Sequence, residues 1–125
     1  MKKEKSTKGF VYVLLSKDKK IFKIGSTDNL RLRVKALQKF WGDFDLDDCF
    51  ALECDREFKF RLESTLLNLL SDSQVVFDEG EKEHGYTEFF YIEAFPLLNK
   101  IVKEVLPICI KDLKKIELKD LIWIP

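Results

Sequence analysis

Four side chains in this 125-residue sequence stand apart from their neighbours by chemistry and position: Tyr12, Lys23, Arg33 and Glu63. Glu63 falls inside an apolar helical row, three residues after Phe60 and four before Leu67. A carboxylate there is costly unless a positive or hydrogen-bonding group meets it, and Arg33 or Lys23 could do so as a plain ion pair at the core's rim. Arg33 lies beside the stripe Leu30, Val34, Leu37, Trp41, whereas Arg31 and Lys35 fall on faces where solvent is the default. Tyr12 and Lys23 occupy two short apolar runs. If these pair antiparallel, both side chains share a face whenever the paired residue numbers sum to an odd number, for example Leu14 opposite Ile21.

Other chemistries are excluded. With His84 as the single histidine, no residue pattern supports Ser-His or Cys-His nucleophilic catalysis. Cys49, Cys54 and Cys109 have neither CxxC spacing nor a nearby pair of histidines, which argues against a zinc site and a disulfide framework and fits a reducing, intracellular compartment. The N-terminal apolar run is too short for a signal-peptide core or a membrane span, so no membrane partner is expected.

The elements that must position these residues follow from periodicity. Phe10–Leu15 is a continuous apolar run of strand type, and Ser16–Lys20 turns it into a second strand, Ile21–Gly25. Thr27 or Asp28 can cap the helix that carries Arg33. Gly42–Asp48 is an acidic loop, Cys49–Cys54 a third strand, and Asp55 caps a helix over Arg56–Leu70. That helix has two apolar rows, Phe58, Leu62, Leu66, Leu69 and Phe60, Leu67, Leu70. Residues 71–85 form a polar, acidic loop, Thr87–Ile92 is short and strand-like, and Ala94–Leu106 is helical until Pro107 stops it. The expected organisation is an N-terminal extension (1–8), one domain (9–106) and a tail (107–125).

Formal net charge is zero, but residues 1–39 carry twelve Lys or Arg against three acids, and residues 40–93 carry four against fifteen. The basic first third is where a phosphate backbone could be held. Lys20 in the turn and Arg31 and Lys35 on the helix are the candidate contacts.

Gly9-Phe10-Val11-Tyr12-Val13, then Phe22-Lys23-Ile24-Gly25-Ser26-Thr27, Asn29-Leu30, and Arg33 ten residues after Lys23 resemble the signature of the GIY-YIG nuclease superfamily. Glu63 in a later Leu-rich helix completes the set. Gly85-Tyr86-Thr87-Glu88-Phe89-Phe90 resembles the G-x-T-E-W-F signature of a phage-associated branch with Lys-Ile-Gly in place of Tyr-Ile-Gly. The resemblance covers residues 9 to about 95 and implies an α/β (α+β) fold: a small GIY-YIG-like antiparallel sheet of about three strands flanked by helices. It also implies metal-dependent endonuclease activity on DNA, with Glu63 ligating Mg²⁺ or Mn²⁺ and Arg33 neutralising charge on the phosphorane. Tyr12 would orient or deprotonate the attacking water, and Lys23 would orient Tyr12 or contact the phosphate. Leu37 stands where a histidine commonly follows the helix arginine. Glu88 matches the second acidic motif, as a metal partner or a strand-edge charge. The alternatives are a nucleic-acid-binding module that does not cut, favoured by acidic loops at Asp43–Asp48 and Asp78–Glu83, and a protein-interaction domain, suggested by the tail. A homodimer would give two-strand cutting; the sequence establishes none.

Overall fold

The computed structural model describes residues 7–42, 44–75 and 89–121, with Phe40 and Trp41 by backbone alone. Its centre is β1, Lys8–Leu15, whose residues Val11 to Leu15 are all buried. The hairpin partner β2, Ile21–Thr27, aligns Leu14 with Lys23 and Tyr12 with Gly25. The paired numbers sum to an odd value, so Tyr12 and Lys23 do share a face, in a register two residues from the example considered above. The turn between them closes on Ser16, whose Oγ donates to Asp18 Oδ1 at 2.7 Å while accepting from the Lys20 and Ile21 amides. Lys19 adopts φ 59°, the left-handed conformation that lets so short a loop reverse.

The other side of β1 pairs with β3, Phe50–Asp55. Two further strands lie outside: β4, Phe89–Tyr91, on β2, and β5, Lys114–Glu117, on β3. The order is β4-β2-β1-β3-β5, antiparallel throughout. The sheet expected from the sequence, GIY-YIG-like with about three strands, is therefore corrected to one of five. The two extra strands are edges of three and four residues, and β5 reads Lys-Lys-Ile-Glu. β4 falls in the run read from the sequence as strand-like, Thr87–Ile92, whereas β5 is a charged edge whose open rim faces water, which erases the apolar alternation that would reveal it.

Helices cover both faces. α1, Leu30–Trp41, lies on the face of Phe10 and Tyr12, burying Leu30, Val34 and Leu37. Its cap is Asn29, whose Oδ1 accepts from the Leu32 amide, rather than Thr27 or Asp28. The opposite face carries α2, Lys59–Leu69, entered through one 3₁₀ turn at Arg56–Phe58. Asp55 makes no side-chain cap there. The buried face of α2 is Lys59, Leu62, Leu66 and the following Leu70, while Phe60 and Leu69 are exposed. Both apolar rows read from the sequence reach the core, the first through Leu62 and Leu66 with Phe58 partly buried, the second through Leu70 with Leu67 partly buried.

A third helical rod follows β4: α3, Phe95–Lys100, a π-helical turn at Ile101–Val105, and α4, Leu106–Cys109. Phe95 meets Phe22 edge-on at 5.4 Å between ring centroids, fixing the rod on the α2 face. Pro107 lies inside this rod instead of ending it. A proline clashes with the carbonyl four residues back, and the wider π turn just before it relieves that contact.

Candidate functional site

β4 pairs with only Ile21, Phe22 and Lys23, so among the described residues no strand covers the outer edge of Ile24–Thr27. Tyr12 and Glu63 are each held against this part of β2, from opposite faces of the sheet, whereas Lys23 lies in the part that β4 covers. Tyr12, opposite Gly25, lays its ring across that glycine. A Cβ on Gly25 would fall 2.2 Å from the Tyr12 Oη and 2.4 Å from its Cζ. The glycine is required by space, because its backbone is ordinary extended strand. The hydroxyl then meets α1 on the same face, where Arg33 Nε donates to it at 3.3 Å. Tyr12 is 1% exposed, while Arg33 itself is exposed. The phenol is thus the buried seat of a guanidinium that faces solvent.

The next residue along β2 points to the other face and holds the other half of the set. Ser26 Oγ donates to Glu63 Oε1 at 2.9 Å, from the half-buried first part of α2. This hydroxyl meets the cost of placing a carboxylate beside the core. Tyr12 and Glu63 are therefore anchored to consecutive residues, whose Cα atoms are about 3.8 Å apart. Lys23 is fully buried, with its Nζ over the Phe89 ring at 5.2 Å from the centroid. An ammonium in that place reaches no phosphate at the surface, but it shares a face with Tyr12.

The helices bearing Arg33 and Glu63 are tied directly to each other. Asp28, just before α1, accepts from Lys59 Nζ at 2.8 Å and from Arg56 Nε at 2.9 Å. The hydrogen bond from Lys59 is the main reason that the Asp28 carboxyl is held below its ordinary value, with Arg56 adding to it. Lys59 is nearly buried and packs against Gly9, where an added Cβ would fall 2.8 Å from its Cδ. Sequence reasoning missed this junction. Its signal was a lysine at helical spacing with Leu62 and Leu66, a position that stays inside only when paired.

Arg31, Lys35 and Lys20 are exposed, on α1 and the hairpin turn. The acidic loop at 43–48 is in part neutralised by that turn, since Lys19 Nζ lies 3.3 Å from Asp45 and 3.5 Å from Asp48. Leu37, where a histidine was looked for, is a core residue. His84, Glu88 and the acidic stretch 78–83 lie outside the described residues.

Among the described residues no group of three or more His, Cys, Asp or Glu side chains gathers to hold a metal, and of Tyr12, Lys23, Arg33 and Glu63 the last is the carboxylate. That donor set does not fit a closed zinc site. It suits a hard cation that takes one or two carboxylates and fills its remaining positions with water and phosphate oxygens. No helix among the described residues is long and apolar enough to cross a membrane.

The T5orf172 domain matches residues 9–111, most of the chain. The chain belongs to the T5orf172 domain family. That match begins at Gly9, the glycine packed on Lys59, and runs through Tyr12, Lys23, Arg33 and Glu63 to just past α4. No curated protein and no solved structure matches the chain.

Proposed function

We propose that this T5orf172 domain is a nucleic-acid-binding domain that grips a phosphodiester at the uncovered end of β2. The observation that carries the reading is the exposed Arg33 guanidinium seated on the buried Tyr12 hydroxyl. A guanidinium held at Nε by a buried hydroxyl has a set orientation, and its planar fork matches the paired oxygens of a phosphate. Arg31 and Lys35 on the same helix, with Lys20 on the hairpin turn, extend the positive surface along which a backbone would run.

A second reading, hydrolysis of that phosphodiester by a GIY-YIG-type mechanism, is supported by Tyr12 and Glu63 both being held against the uncovered end of β2, one from each face of the sheet. Glu63 would hold Mg²⁺ or Mn²⁺, with Ser26 fixing one of its oxygens. When bound, such a cation supplies Lewis-acid neutralisation of charge on the phosphate. Arg33 would balance charge that develops on the non-bridging oxygens. The Tyr12 hydroxyl would orient an attacking water, and the buried Lys23 would bias its electrostatics. The burial of Tyr12 speaks for the simpler binding reading, which needs only the guanidinium and its neighbours.

The test uses wild type, Arg33→Ala and Glu63→Ala, each shown to be folded. Fluorescence anisotropy on labelled single-stranded and duplex DNA is expected to show salt-dependent binding that weakens in Arg33→Ala. Wild type that binds neither would overturn the reading. Supercoiled plasmid with Mg²⁺, Mn²⁺ or EDTA then separates the two functions. Metal-dependent nicking lost in Glu63→Ala assigns hydrolysis, and binding without nicking leaves the domain as a binder.

A further inference from the structure

Beside the Tyr12–Arg33 pair, on the same face of the sheet, lies a pocket of about 280 Å³ that none of the roles above uses. Phe10, Leu30, Ile116 and Leu121 line its apolar part, while Arg31 and Glu53 contribute charge. The strand register explains the gathering. Phe10 pairs with Glu53, and Ile116 pairs with Ala51, which is also the partner of Tyr12, so all of these side chains stand on one face. Phe10 precedes Tyr12 by two residues, about 7 Å along the strand. The pocket and the Tyr12–Arg33 pair are thus neighbours on one face of the sheet, both at the first turn of α1.

We propose that the pocket receives one unpaired nucleobase of the bound strand, stacked on Phe10 and read on its edge by Glu53. This rests on the phosphodiester reading given above and adds the substrate class: unpaired or locally opened nucleic acid rather than intact duplex. The volume is just below the range of drug-sized sites, about 300–1,000 Å³, and suits a single planar ring system. An aromatic side chain gives a stacking surface that any base can use. A carboxylate only accepts, so it favours bases with N–H donors on the Watson–Crick edge, and guanine alone offers two side by side. Two other polar side chains at the rim are already engaged: Asp28 by Lys59 and Arg56, and Asn29 by the Leu32 amide. Arg31 remains to steady the adjoining phosphate or to stack over the base.

The experiment measures equilibrium binding in EDTA, so that cleavage does not intervene. The labelled probes are a short oligothymidylate, the same strand with one central guanine, and a blunt duplex of equal length. Wild type is expected to bind the guanine strand most tightly. Phe10→Leu, which keeps apolar volume, should lose about 5-fold or more on single strands with little change on duplex. Glu53→Gln, a half-exposed isostere that spares the core, should erase the preference for the guanine strand. Arg33→Ala should weaken all three probes. If Phe10→Leu and Glu53→Gln both match wild type while Arg33→Ala still weakens binding, the pocket is refuted and the phosphodiester reading stands. Wild type that binds none of the probes would sink both.

Discussion

Replacing Gly25 by alanine is ordinarily mild within a strand, where glycine is the weaker residue. Here the added methyl would lie 2.2 Å from the Tyr12 Oη, 2.4 Å from Cζ and 2.9 Å from Cε1. Carbon contacts are comfortable at about 3.5–4.0 Å, so the ring must move by more than an ångström. Tyr12 is 1% exposed and has no open side to move into. Overpacking of this kind costs about 1–3 kcal/mol. Tyr12→Ala alone should cost more, about 3–5 kcal/mol by analogy with other large aromatic truncations. In the double variant the alanine methyl occupies space the ring has vacated, so its cost should fall below the sum of the singles by about 1–3 kcal/mol. Urea unfolding followed by far-UV circular dichroism measures all four proteins. Additivity within about 0.5 kcal/mol would refute the steric account of Gly25, because uncoupled sites behave that way.

Two further outcomes follow from the electrostatics. Asp28 is ionised more readily in the folded chain than in the unfolded one, so its contribution is present above the ordinary carboxylate value of 3.8 and is lost as pH falls through its depressed folded value. Asp28→Asn should therefore lower stability at neutral pH and show a shallower acid limb in pH-dependent unfolding; an acid limb identical to wild type would count against the junction. Burial pushes the Cys49 thiol up to about 12, and Leu15 N–H donates to its sulfur at 3.2 Å. Its stability contribution is complete below the unfolded value of 9.0 and is lost as pH rises toward 12. In native protein near pH 8, iodoacetamide should modify exposed Cys109 and spare Cys49, read by mass spectrometry; labelling of Cys49 at a comparable rate would contradict its placement.

The hairpin, the third strand and the two site-bearing helices were legible because each carries an apolar run or stripe of the right period. The parity that puts Tyr12 and Lys23 on one face was legible too, though their register was not, since several odd sums satisfy it. β5 was hidden because Lys114, Lys115 and Glu117 leave one apolar residue to mark it. Pro107 misled because a proline forbids a tight helical turn but not the wider one that precedes it here. The contacts of Gly25, Ser26 and Asp28 depend on which elements lie across from them, and no local pattern encodes that.

The strand order has a consequence for how the chain can assemble during synthesis. β1 and β2 meet first as a local hairpin, β3 then docks on the free side of β1, β4 on β2, and β5 on β3. Each strand emerging from the ribosome finds its place at an outer rim, and none has to be threaded between neighbours that have already paired. Growth by accretion keeps each loop closure independent of the earlier ones, and it leaves Tyr12 and Gly25 apposed from the first hairpin onward.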